Sequence, residues 1–139
     1  MAIWIGIDPG EHTGVAVWDG AQRNFVTVVT LPLHRALELV RGWQNVRPCV
    51  VFEDARQRRW FPRERNASEY RGRLMGAGAA KRDAAIWEEF LKDSGIDYEA
   101  HRPQAGGTKW SADYFARVTG YTGRTSEHAR DAAVLVYGR

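Results

Sequence analysis

The stretch Ile3-Trp4-Ile5-Gly6-Ile7-Asp8-Pro9-Gly10-Glu11-His12-Thr13-Gly14-Val15-Ala16-Val17-Trp18-Asp19-Gly20 decides how the chain is read. Ile3, Ile5 and Ile7 alternate with Trp4, Gly6 and Asp8. That is the two-residue period of a strand with substantial residues on both faces, as a central strand has. Asp8-Pro9-Gly10 supplies turn chemistry, and Thr13 to Trp18 reads as a second strand closed by the hairpin signal Asp19-Gly20. Phe25 to Thr30 gives a third strand. Connections this short predict an antiparallel meander, because parallel neighbours need crossovers of about a dozen residues or more.

Downstream the period changes. Leu33, Ala36, Leu37, Val40 and Trp43 fall at helical spacing and predict an amphipathic helix from about Leu33 to Gln44. Cys49 to Phe52, bounded by Pro48 and by charge, reads as a buried strand entering after that helix. One long helix is expected from Ala67 to Lys92, with Ile86, Trp87, Phe90 and Leu91 as the apolar stripe of its second half. Its first half carries Gly76, Ala77, Gly78, Ala79 and Ala80, a nearly bare backbone that a second helix or a phosphate backbone can approach. Ser94-Gly95 ends the helix, Ile96 to His101 alternates as a fifth strand, and Pro103 to Thr108 is a loop. A short helix over Trp110 to Val118 precedes a last helix, capped by Thr125 or Ser126 and running to about Tyr137. The fold class is therefore α/β: three antiparallel strands, two parallel additions and flanking helices.

The composition narrows the function. With 139 residues, 44% hydrophobic and 27% charged, the chain is expected to form a single domain over 1–139, with neither repeat nor linker. No apolar run approaches the roughly 20 residues of a membrane span, and Met1-Ala2-Ile3-Trp4 lacks a basic leader, so a cytoplasmic protein is expected. Cys49 stands alone and reads as a buried structural thiol. The four histidines show no H-x-x-x-H spacing, which gives a zinc protease no support. Of the 20 cationic residues 17 are arginines, the side chain suited to bidentate phosphate contact. Seven of them, Arg56, Arg58, Arg59, Arg63, Arg65, Arg71 and Arg73, share one short segment with only two glutamates. That segment holds an excess of +5 in a chain whose net charge is +3. Trp60, Phe61 and Tyr70 lie among them. Charge for a phosphate backbone and aromatic faces for unstacked bases make this a candidate nucleic-acid contact, the alternative being a solvated arginine-rich surface.

Asp8 stands at the end of the presumed central strand, and Glu53 follows the Cys49 to Phe52 strand in the same manner. Asp131 lies in the last helix with His128 three residues earlier on the same face. Taken singly, Asp8 begins a turn, Glu53 pairs with an arginine such as Arg56, and His128 with Asp131 is an exposed helix pair. Taken together, three acids and an imidazole brought to one place require a cation, and hard oxygen donors suit Mg²⁺ or Mn²⁺. Asp54 faces away from Glu53 on an extended strand, and Asp83 and Asp113 read as solvated helix residues.

Ile5-Gly6-Ile7-Asp8-Pro9-Gly10 with Thr13-Gly14, the apolar strand ending in Glu53, and His128-Ala129-Arg130-Asp131-Ala132-Ala133 occur in that order. The set resembles the RuvC-like Holliday junction resolvases of the ribonuclease H-like superfamily, over essentially the whole chain. The resemblance implies metal-binding acids at Asp8, Glu53 and Asp131, with His128 at a position that holds a further acid or a histidine. It also implies two divalent ions per active site, Mg²⁺ with Mn²⁺ as substitute, acting on either side of the scissile phosphorus. Lys109 is similar to a lysine that contacts DNA near that phosphate. Paired symmetric nicks in a four-way junction, leaving 5′-phosphate and 3′-hydroxyl ends, imply a homodimer on branched DNA. The helix segment Gly76 to Ala80 is then a candidate interface, with burial inside the chain as the competing explanation. The short chain resembles a compact phage or prophage version, at work in a bacterial or phage-infected cell. Three rivals stand beside this reading. An actin-type ATPase shares the opening loop but needs two such domains, a general ribonuclease H-like nuclease acts on flaps or RNA–DNA hybrids, and a non-catalytic junction-binding module needs no set of acids.

Overall fold

The three opening strands are β1 (Ile3–Asp8), β2 (His12–Asp19) and β3 (Asn24–Pro32), and they form the antiparallel meander that the short turns demand. The computed structural model describes residues 2–58, 67–103 and 109–139. Helix α1 (Leu33–Gly42) carries the chain to β4 (Cys49–Glu53), which pairs parallel to β1. The long α2 (Ala67–Ser94) leads to β5 (Asp97–His101), parallel to β4, and α3 (Ala112–Thr119) and α4 (Glu127–Val136) follow. The five-stranded sheet runs β3-β2-β1-β4-β5, so β1 is central. Among the described residues this mixed sheet is flanked by four α-helices, the ribonuclease H-like arrangement.

Strand alternation divides the core in two. Ile3, Ile5 and Ile7 pack with Val15, Val17, Val50 and Phe52 against Ala36 and Val40 of α1 and Ala84, Trp87 and Leu91 of α2. On the opposite face Ala16, Trp18, Val28 and Val51 meet Phe115 of α3 and Ala129, Ala132, Ala133 and Val136 of α4. Trp4 packs on this second cluster, which places Gly6 and Asp8 on the α4 side of β1 as well.

The structure corrects some sequence expectations and decides others. Trp110 lies outside α3, which begins after Ser111; the Ser111 hydroxyl accepts from the Tyr114 amide at 3.1 Å. Ser126 is the cap of α4, accepting from the Ala129 amide, while the carbonyl and hydroxyl of Thr125 accept from Arg130 Nη1 at 2.8 and 3.1 Å. Asp83 is buried, only 6% exposed, because it lies in the half of α2 that turns onto the sheet, one residue before Ala84. Cys49 is half-buried. The first half of α2 is exposed instead: Tyr70, Leu74 and Met75 face solvent, and Gly76 and Gly78 have open space where a side chain would stand. Burial against the described residues therefore does not explain Gly76 and Gly78. Among the described residues no helix is long and apolar enough to cross a membrane.

Candidate active site

The register of the parallel pair brings two carboxylates to one end of the sheet. Ile7 lies beside Phe52, so Asp8 and Glu53 are the next residues out on neighbouring strands. Both fall on the α4 face, Asp8 in phase with Gly6 and Glu53 in phase with Val51. The turn after Asp8 is tied down by Thr13, whose buried hydroxyl donates to the Gly10 carbonyl at 2.6 Å. The Thr13-Gly14 pair thus has two jobs, because the next residue admits the helix.

Helix α4 crosses β1 and β2 at their glycines. A β-carbon on Gly14 would stand 2.0 Å from the His128 carbonyl oxygen, and one on Gly6 would stand 2.0 Å from that of Ala132. No real side chain tolerates such a separation, so the two bare positions set how low the helix sits. Ala129, Ala132 and Ala133 complete the close contact from the helix side, all fully buried. His128 and Asp131, flanking that buried stripe, are carried to the strand ends. The sequence reading found the acids but missed the two glycines as the reason they meet. The signal was present as Gly6 and Gly14 in otherwise bulky strands.

The side chains are paired with one another. His128 Nδ1 lies 3.0 Å from Asp8 Oδ2, with the carboxylate accepting, and Lys109 Nζ donates to Asp131 Oδ2 at 2.5 Å. Lys109 also lies 3.5 Å from Glu127 Oε1, one helical turn before Asp131. Burial pushes the Asp8 carboxyl above the usual carboxylate range, opposed by the hydrogen bond to His128 and reinforced by the charge of Asp131. Burial raises Glu53 too, followed by the charges of Asp8 and Asp131. The three acids therefore share one electrostatic environment. Among the described residues no three His, Cys, Asp or Glu side chains stand grouped as a ready metal-holding set. The donor chemistry nevertheless suits a hard divalent cation: half-buried oxygen donors under mutual repulsion, of which Asp8 and Asp131 are engaged by the nearest nitrogen donors.

The arginine-rich segment is only partly described. Arg56 is held by Asp54, with Nε donating to Oδ1 at 2.8 Å and Nη2 to Oδ2 at 3.0 Å, and it reaches Glu88 of α2 at 3.4 Å. The partner of Arg56 is thus Asp54 and not Glu53. Asp54 caps the short 3-10 turn Ala55–Gln57, which curls Arg56 back over it. Burial raises the Asp54 carboxyl, but the hydrogen bonds from Arg56 and Gln57 outweigh it and carry the group below the usual range. Arg58, Arg71 and Arg73 are exposed. Arg59, Trp60, Phe61, Arg63 and Arg65 lie outside the described residues.

No protein-family model and no curated protein matches the chain. Among solved structures it is similar to T. thermophilus RuvC in complex with a Holliday junction substrate, at 18% identity and a TM-score of 0.53. The match covers 98% of this chain and 91% of that one. At this identity the likeness is one of architecture, and the architecture of this chain is RuvC-like.

Proposed function

We propose that the chain is a metal-dependent endodeoxyribonuclease that resolves four-way DNA junctions by paired nicks, leaving 5′-phosphate and 3′-hydroxyl ends. The observation that supports this reading is that Asp8, Glu53 and Asp131, from three elements, act on one another electrostatically at one end of a RuvC-like sheet, with His128 hydrogen-bonded to Asp8. Asp8, Glu53 and Asp131 would hold Mg²⁺ or Mn²⁺, with His128 as a further ligand or as the group that orients the attacking water. Bound there, divalent ions supply Lewis-acid activation of water and stabilisation of the departing 3′ oxygen.

The chain's own residues do the rest. Asp8, fixed in direction by His128 and by the tied turn behind it, presents a carboxylate at the mouth of the site. Lys109, 63% exposed beside Asp131, is placed to neutralise a phosphate oxygen. Arg58, Arg71 and Arg73, with Arg59, Arg63 and Arg65, supply phosphate attraction, and Trp60 and Phe61 a stacking surface for bases parted at the junction centre. Arg56 serves this surface indirectly, by fastening the start of the segment to Asp54 and Glu88. Two symmetric cuts require two copies, and the exposed 76–80 stretch of α2 is the proposed contact between them.

The decisive experiment incubates the protein with a synthetic four-way junction, a flap, an RNA–DNA hybrid and a linear duplex, with and without Mg²⁺. Mg²⁺-dependent paired nicks in the junction alone are expected. Asp8→Asn should abolish cutting while leaving junction binding intact, since the arginines remain. Equal cutting of flap or hybrid would turn the reading to a general ribonuclease H-like nuclease, and binding without cutting would reduce it to a binding module.

A further inference from the structure

We infer that Lys109 is an internal counter-ion of the acid cluster, exchanged for the divalent cation when the site is loaded. The inference rests on the metal-binding reading of Asp8, Glu53 and Asp131. Its starting point is geometric: the Lys109 ammonium is 2.5 Å from Asp131 and 3.5 Å from Glu127, so it already neutralises one of the proposed ligands. A cation that takes Asp131 Oδ2, alone or with Oδ1, competes with Lys109 for the same oxygen.

The arrangement suits an exchange. The backbone beside Lys109 is pinned, because Arg130 Nε donates to the Trp110 carbonyl at 2.9 Å and the Trp110 ring packs against Tyr114, Phe115 and Tyr137. The side chain beyond that anchor is long and 63% exposed, free to pivot without disturbing the fold. Asp131 is the less exposed partner, at 23%, and α4 holds it in place, so the lysine is the member that moves. The charge of Lys109 also acts on Asp8 and on Glu53, which makes it a counter-ion to the whole cluster and not to Asp131 alone. Two internal pairs, Lys109 with Asp131 and His128 with Asp8, thus set a nitrogen donor against two of the three acids.

The exchange predicts competition, which a supporting surface ion pair does not. Mn²⁺ binding by the full-length chain is measured from the loss of the free-ion electron paramagnetic resonance signal, with no DNA present. Lys109→Met should bind Mn²⁺ about three- to fivefold tighter than the parent, the scale of one partly exposed ion pair. Lys109→Arg, which keeps the charge, should bind like the parent. Lys92→Met removes the same charge beside Glu88 on α2 and should also leave the affinity unchanged, which separates contact from net charge. As a second reading on the unmutated protein, acetylation of Lys109 followed by mass spectrometry should accelerate when Mn²⁺ is added, while that of Lys92 does not. Unchanged or weaker Mn²⁺ binding by Lys109→Met, or acetylation indifferent to the metal, overturns the exchange while leaving the metal site standing. Failure of parent and Lys109→Met alike to bind Mn²⁺ overturns the metal reading, and the exchange with it.

Discussion

Gly6 and Gly14 and the pair Gly76 and Gly78 are the same residue put to opposite uses. The first two lie under α4, where a β-carbon would meet a main-chain oxygen at 2.0 Å. The second two lie on the exposed half of α2, where it would meet nothing within 4 Å. At Gly6 and Gly14 the bare position is filled by a crossing helix, and the gap is part of how the site is assembled. On α2 the bareness is unused by the rest of the described chain, so it costs helix stability without any internal return. A glycine-rich stretch in a sequence does not say which of these it is; only the element lying over it does.

Substitution tests that contrast directly. Gly14→Ala should produce the largest change, because the clashing atoms are the His128 carbonyl and the Ala129 amide nitrogen, and backbone cannot swing aside. A loss of about 2–3 kcal/mol in urea unfolding is expected, with junction cutting abolished as His128 leaves Asp8. Stability within about 0.5 kcal/mol of the parent would mean that α4 does not sit where it is described.

A smaller effect should come from the crowding of charge in the same place. Glu53 is raised above its ordinary value of 4.5 by burial and by its acidic neighbours, so the unfolded chain gives up this proton before the folded one does. The associated stability is fully present below that ordinary value and is lost as pH rises through the folded pKa. Glu53→Gln should therefore raise the melting temperature at neutral pH in EDTA and flatten the decline of stability above about pH 4.5, while removing cutting. A variant that melts lower than the parent at neutral pH would contradict the shared acidic environment. The smallest effect belongs to α2. Gly76→Ala and Gly78→Ala should each stabilise the chain by about 0.5–1 kcal/mol in thermal unfolding. If the same variants also lower the number of copies on a junction in sedimentation, the exposed stretch is a contact between copies after all.

The contrast also shows what the sequence could convey. Alternation at Ile3, Ile5 and Ile7 and the turn signals at Pro9-Gly10 and Asp19-Gly20 were enough for the strands, because period and turn chemistry are local. Asp8 and Glu53 were legible as strand-end acids for the same reason. The buried position of Asp83 was not, since nothing in its neighbourhood announces where a long helix stops facing solvent and begins to face the sheet. The hold of Asp54 on Arg56 was also hidden, because it depends on the 3-10 turn that Asp54 itself caps. Lys109 was noticed for its place in the chain, whereas its hold on Asp131 across 22 residues depends on the tertiary fold.

The contact between His128 and Asp8 joins residues 120 positions apart, a separation from which late formation in folding is expected. The meander of β1 to β3 closes through short loops, whereas α4 has to find β1 and β2 across nearly the whole chain, at the entropic cost of a long closure. Refolding should accordingly protect the amides of β2 and β3 from hydrogen exchange before those of α4. Until that last docking a partly folded chain has strands and exposed arginines, but the acids of its two ends have not met. On the proposed function, that order of assembly would keep a half-folded molecule from cutting what it touches.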